Sequence, residues 1–180
     1  MTAAADMAIS FRPVTAADLP LLADWIARPH WQEWWGEPEA ELGYVRDMIA
    51  GIDTTCRPFI IELDGEPLGD IQAWQVGREQ TPESTVDSPW LMALPADAIG
   101  IDLSIADASQ LSRGIGSAAI RRFMAMLREE GHRHFIIDPD AANTRAVAAY
   151  RKAGFRPVPA LEGRTEGVLI MQYQQDTVSR

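Results

Sequence analysis

The stretch Ile99-Gly-Ile-Asp102-Leu-Ser-Ile105-Ala-Asp-Ala-Ser-Gln-Leu-Ser112-Arg-Gly114-Ile-Gly116-Ser117 decides the reading of this chain. Ile99 to Ile105 is rich in branched apolar side chains and reads as a strand. Ser112 to Ser117 reads as a glycine-bearing turn into a helix, where Ile120, Phe123, Met124 and Leu127 share one apolar face. Glycines let backbone N–H groups approach an anion, a helix N-terminus adds a favourable field, and Arg113 adds a full charge. A strand, turn and helix in this order suit a pyrophosphate; a tight structural turn explains the glycines equally well. The dinucleotide fingerprint Gly-x-Gly-x-x-Gly is not met, because Ala119 stands at its third glycine.

Working outward, Phe11 to Val14 reads as an opening strand, and Thr15 to Asp18 as a helix start with an acid at the third position. Leu19, Leu22, Trp25 and Ile26 follow at helical spacing until Pro29. His30-Trp-Gln-Glu-Trp34-Trp35-Gly36 is an unusually aromatic loop, and Glu39 to Ile52 a second helix. Pro58 to Leu63 and Leu68 to Val76 are strands joined by the Asp64-Gly65 turn. Gly77 to Ala98 has no clear period and reads as a long loop, in which Trp90, Leu91 and Met92 argue for packing. Beyond Gly131, His134 to Asp138 is a strand, Asn143 to Ala153 a helix, and Arg156 to Val158 and Val168 to Tyr173 closing strands. The order β-α-α-β-β-β-α-β-α-β-β is mixed α/β, and no repeat or linker divides it.

The length of 180 residues fits a single domain, and 47% apolar with 23% charged residues is ordinary for a globular chain. The one cysteine, Cys56, excludes an intramolecular disulfide framework and reads as a buried small hydrophobe. No His/Cys/Asp/Glu cluster has metal-ligand spacing, so no metal is expected. No apolar run approaches a membrane span. Met1 to Ser10 lacks the features of a secretion signal, so a cytoplasmic protein is expected. The net charge of −10 argues against nucleic-acid binding. Its distribution is uneven: Glu62 to Asp107 holds ten acids and one base, Arg78, whereas Arg113 to Arg156 holds nine bases and four acids. One half of the chain favours a cation and the other an anion; two solvated faces would give the same counts.

A second segment is Asn143-Thr-Arg-Ala146-Val-Ala-Ala-Tyr150-Arg-Lys-Ala-Gly154-Phe155. On a helix Asn143, Ala146 and Tyr150 share one face. Asn143 suits a helix cap or a ligand amide, and Tyr150 carries a phenol able to donate a proton. The two segments together resemble the GNAT superfamily of N-acetyltransferases. Leu111 stands where that superfamily has Gln or Arg, with Gln110 one residue early; a backbone cradle needs only N–H groups. Over roughly Phe11 to Tyr173 the chain looks closest to the aminoglycoside 6'-N-acetyltransferases, on Gly100-Ile-Asp102, Ala108-Ser-Gln-Leu111 and the two glycines. The aromatic loop and Tyr150-Arg-Lys-Ala-Gly-Phe155 are shared with siderophore side-chain N-acyltransferases.

The resemblance implies a mixed, mostly antiparallel central sheet with flanking helices, and acetyl-CoA as co-substrate. Cofactor contacts would fall on Leu103, Ser104 and Ile105 through their backbone, on Ser112, Arg113, Gly114, Ile115, Gly116 and Ser117, and on Asn143 and Ala146. Tyr150 would be the general acid and Asp102 the group that holds the amine and accepts its proton. Asp138 would be a second carboxylate against the acceptor, with Gln72, Trp35, Trp74 and Trp90 lining it; Asp87 and Asp97 would add acidity. His30 reads as a loop anchor, although the siderophore family uses a His from this region. His132 and His134 read as surface residues. The implied partner is a polycationic aminoglycoside, bound by a monomer or weak homodimer; the alternative is a siderophore or lysine-type N-acyltransferase using acyl-CoA.

Overall fold

A computed structural model describes residues 8–174. The first seven residues, which carry most of the expectation about a secretion signal, lie outside the described residues. The elements are β1 (Ile9–Pro13), α1 (Leu19–Ile26), α2 (Pro29–Gln32), α3 (Pro38–Ala50), β2 (Cys56–Leu63), β3 (Glu66–Gln75), α4 (Val76–Glu79), α5 (Ser84–Asp87), β4 (Ile99–Ile105), α6 (Ile115–Glu129), β5 (Phe135–Ile137), α7 (Thr144–Ala153), β6 (Phe155–Pro157) and β7 (Met171–Tyr173).

All described strands join one sheet in the order β1-β2-β3-β4-β5-β7-β6. Every pairing is antiparallel except β4 with β5. One face packs Phe59, Ile61, Ile71, Ile101 and Phe135 against Ile120, Phe123 and Leu127 of α6 and Val147 of α7. The other face sets Ile60 against Leu22, Trp25 and Ile26 of α1, Trp31 of α2, and Leu42 and Val45 of α3. A third apolar cluster gathers Val76, Leu91, Leu94, Ile136 and Ile170, and the long Gly77–Ala98 segment folds onto it as short helical turns.

Three readings of the sequence need correction. The aromatic loop contains the helical turn α2, which Pro29 opens instead of merely ending α1, since a proline loses nothing at a first helical position. Gly77–Ala98 has no period because its turns are each too short to show one. The last strand covers Met171–Tyr173 only; Val168 makes an isolated bridge with Asp140. The expected acid-capped start is present: Asp18 Oδ2 accepts from Thr15 N–H at 2.9 Å, and Arg12 grips both oxygens at 2.7 and 2.8 Å.

Candidate active site

The parallel pairing of β4 with β5 is limited to Ile99–Phe135 and Gly100–Ile136, although β4 runs on to Ile105. Beyond Gly100 the two strands part. Ile99 N–H donates across to the His134 carbonyl, whereas the Ala98 carbonyl and Ala106 N–H bond toward β3. Strand alternation therefore turns the N–H groups of Leu103 and Ile105 into the opening and that of Ser104 toward β3. His30 Nε2 and Trp31 Nε1 both reach the Ile105 carbonyl, at 3.0 and 3.1 Å. A carbonyl only accepts, so His30 donates through Nε2 and serves as an anchor of α2 on the end of β4.

The opening widens into a cleft of about 340 Å³, walled by the end of β4, the glycine turn and α7, with His30, Trp34 and Trp35 on its far side. Gly114 has φ +83°, a left-handed conformation that a side chain strains, and begins α6. The first intrahelical bond there is Ala118 N–H to the Gly114 carbonyl. The N–H groups of Ile115, Gly116 and Ser117 thus have no partner within the helix, an arrangement suited to a phosphate. Ser112, Gly114, Gly116 and Ser117 line the cleft, as do Asn143, Ala146 and Tyr150. Arg113 is exposed outside the lining, and the Ile115 side chain is core, leaving only its backbone for a ligand. Asn143 Oδ1 caps α7 through Ala146 N–H at 3.1 Å. Both Gln110 and Leu111 reach the cleft, so an amide side chain is present there despite the shifted position.

The acceptor candidates lie on one sheet face. Alternation along β3 brings Asp70, Gln72 and Trp74 to the same side, and their partners across β4 are Ser104, Asp102 and Gly100. Trp74 lies so close over Gly100 that a Cβ there would meet its indole at 1.9 Å. Burial raises the proton affinity of Asp102; the charges of Asp138 and Asp70 raise it further, while a hydrogen bond from Trp74 opposes them. Asp138 is raised by burial too. Tyr150, 7% exposed, is held protonated by burial and by the neighbouring charges of Asp102 and Asp138. The structure thus brings Asp102, Asp138, Gln72, Trp74 and Tyr150 to one neighbourhood, but of these Tyr150 alone lines the cleft, and Gln72 borders a smaller pocket beside Trp31 and Trp35. Trp90, like Trp74, packs on the third apolar cluster, but it stands outside the β3–β4 face; Asp97 pairs with His134 at 3.0 Å, and Asp87 is exposed.

Several participants were not singled out from the sequence. Trp31 and Trp34 wall the cleft, and period-two alternation from Gln72 would have pointed to Asp70. Cys56 is more than a hydrophobe: burial keeps its thiol protonated, and it donates to Gln72 Oε1 at 3.1 Å. Among the described residues no group of three or more His, Cys, Asp or Glu is placed to hold a metal, and no helix is long and apolar enough to cross a membrane.

Residues 14–162 match the acetyltransferase (GNAT) domain family. The chain is 32% identical over 155 residues to an aminoglycoside N(6')-acetyltransferase type 1 of Klebsiella pneumoniae, covering 82% of this chain and 73% of that protein. It is 29% identical over 141 residues to the lysine N-acyltransferase MbtK of Mycobacterium sp. (strain MCS), covering 77% of this chain and 55% of that protein. The crystal structure of aminoglycoside acetyltransferase AAC(6')-Ib with coenzyme A and kanamycin superposes with a TM-score of 0.74 at 27% identity, over 94% of this chain and 95% of that one.

Proposed function

The chain belongs to the GNAT acetyltransferase domain family, and from that premise we propose that it transfers the acetyl group of acetyl-CoA to the 6'-amine of aminoglycoside antibiotics, so conferring resistance. Acetyl-CoA, when bound, supplies the thioester. The turn at Gly114 and Gly116 offers N–H groups to its pyrophosphate, and the Leu103 and Ile105 N–H groups offer hydrogen bonds to its pantetheine arm and carbonyl. Asp102 holds the acceptor ammonium and takes one proton from it; burial and the nearby Asp138 and Asp70 charges raise its proton affinity, which makes it a stronger proton acceptor than an exposed carboxylate. As the new C–N bond forms and the C–S bond breaks, Tyr150 gives its phenolic proton to the leaving sulfur. The nitrogen's second proton restores Tyr150, and the proton on Asp102 returns to solvent.

What carries the reading is the two-sided opening where β4 leaves β5. The N–H groups of Leu103 and Ile105 turn into that opening, and in this reading Asp102, which faces Gln72 across β3 and β4 and shares its charge neighbourhood with Asp138 and Tyr150, would approach it from the acceptor side. The lysine-type alternative has less support, because the ten acids against one base between Glu62 and Asp107 favour a polycationic acceptor. A cytoplasmic enzyme, monomeric or weakly dimeric, completes the proposal. The test is thiol release from acetyl-CoA with paired acceptors that have or lack a 6'-amine. Turnover is expected only with the amine, and its apparent KM should rise with salt. Equal turnover without the amine would overturn the regiochemistry.

A further inference from the structure

The short segment between α1 and the aromatic wall of the cleft directs three side-chain donors at two successive carbonyls. His30 Nε2 and Trp31 Nε1 both donate to the Ile105 carbonyl, at 3.0 and 3.1 Å, and Arg28 Nη1 donates to the Ala106 carbonyl at 2.8 Å. One donor would satisfy a buried carbonyl; Ile105 has two, and its neighbour a charged third. The donors are themselves braced. Arg28 Nη2 pairs with Asp24 at 2.6 Å, and Gln32 Nε2 ties α2 to the Ile26 carbonyl at 2.7 Å. The buried Trp31 ring packs on those of Trp25 and Trp35, with centroids 6.5 and 6.2 Å away.

Their targets stand at the end of the opening between β4 and β5. A strand residue turns its N–H and its carbonyl to the same side. Ile105 therefore turns both into the opening, where β5 has already departed. On one side of it the ladder with β3 fixes Ser104 opposite Asp70. On the other, Ala106 N–H returns to β3 at the Leu68 carbonyl, 2.8 Å away. In a continuous sheet a neighbouring strand would hold Ile105 between those two points. Here the three side chains take that place. They fix the peptide plane that follows Ile105, and they leave its N–H turned toward the cleft that Leu103 and Ile105 line.

We propose that Arg28, His30 and Trp31 are positioning residues for acyl transfer: through their hold on the Ile105 and Ala106 carbonyls they aim the Ile105 N–H at the thioester carbonyl of the bound donor. The inference rests on the acetyltransferase reading for the identity of that carbonyl. The three side chains act through the backbone of β4, and the proton transfers stay with Asp102 and Tyr150. As the amine attacks, the thioester oxygen gathers negative charge. A donor N–H already fixed in direction stabilises that charge more than one that must first reorient. The gain falls on the transition state, so the clamp acts on kcat. Free coenzyme A has no acyl carbonyl, and its binding does not depend on the clamp.

The experiment compares the full chain with the double variant His30→Phe/Trp31→Phe, which keeps two rings and removes both donors. Thermal melts confirm folding, and Trp31→Phe alone serves where the double variant is unstable. His30→Gln combined with Trp31→Phe returns an N–H donor to the carbonyl. Gln cannot act as a base, so its recovery separates positioning from proton transfer. Three quantities are read: coenzyme A affinity by calorimetry, kcat and KM by thiol release, and the Ile105 amide resonance with and without acetyl-CoA. The expected result is a kcat lower by about tenfold or more in the double variant, with partial recovery by Gln. Coenzyme A affinity should stay within about twofold of the wild type, and the acetyl-CoA-dependent shift of the Ile105 resonance should be lost. An unchanged kcat, no recovery with Gln, or kcat and coenzyme A affinity falling by the same factor overturns the clamp. A wild type that shows the Ile105 shift, lost in the variant, yet turns over no amine leaves the clamp standing and sinks the acetyltransferase reading instead.

Discussion

Tyr150 shows what a single side chain owes to its surroundings. Its phenol is deprived of water and faces the charges of Asp102 and Asp138, so the neutral, proton-bearing form is strongly favoured. An acid for a leaving thiolate needs that state. Tyr150→Phe is expected to lower kcat by about tenfold or more with little change in the KM for acetyl-CoA; steady-state kinetics with both substrates varied provides the check, and an unchanged kcat would remove Tyr150 from the chemistry. The candidate residues legible in the sequence were those with a chemical signature at fixed spacing: Tyr150 and Asn143 on one helix face, the glycines of the turn, and Asp102 within a strand pattern. Asp70 and Cys56 were illegible as participants. Nothing local distinguishes an acid or a thiol in a strand from one aimed at a Gln72 amide, because their partners come from other positions on the sheet.

Elements work here through where they stop pairing. β3 and β4 stay in register from Gly69–Ile105 to Gln75–Ile99, so their polar side chains alternate onto one face. The pairing of β4 with β5 ends after Gly100, and the opening begins there. Gly100 belongs to both facts, for it leaves room for the Trp74 indole, whose neighbour on β3, two residues back, is the Gln72 that faces Asp102. Gly100→Ala is expected to push that indole aside and raise the acceptor KM several-fold, while acetyl-CoA binding to the turn at Gly114 is retained. Tryptophan fluorescence and separate KM values for the two substrates test this; a parallel loss of both would point to general disruption of the sheet. Element types were legible for long patterned segments such as β4 and α6. The short turns α2, α4 and α5 were missed, since four residues carry less than two periods of any pattern.

At the scale of the whole molecule, opposite electrostatic devices set a pH dependence of stability. Arg12 holds Asp18 down to about 2 from an ordinary 3.8, so that contribution is full above the ordinary value and lost as pH falls through 2. Asp70 is the reverse: its folded form binds the proton more tightly than the unfolded chain does, so stability declines as pH rises from about 4 through about 7. Melting temperature is expected to peak on the acid side of neutrality, near pH 4 to 5. Asp70→Asn should flatten the decline toward pH 8, as scanning calorimetry across that range would register; an undiminished decline would mean that other groups cause it. The acidic and basic halves of the sequence are local facts, and the chain alone determined them, along with the order of strands and helices, because side-chain period and turn chemistry act between near neighbours. Only the tertiary structure decided which acids are buried, where β4 leaves β5, and that Glu41 closes over Asp70. Burial and charge proximity are set by the packing of α3, β3 and β4 in space, and residues thirty positions apart along a chain carry no record of lying side by side.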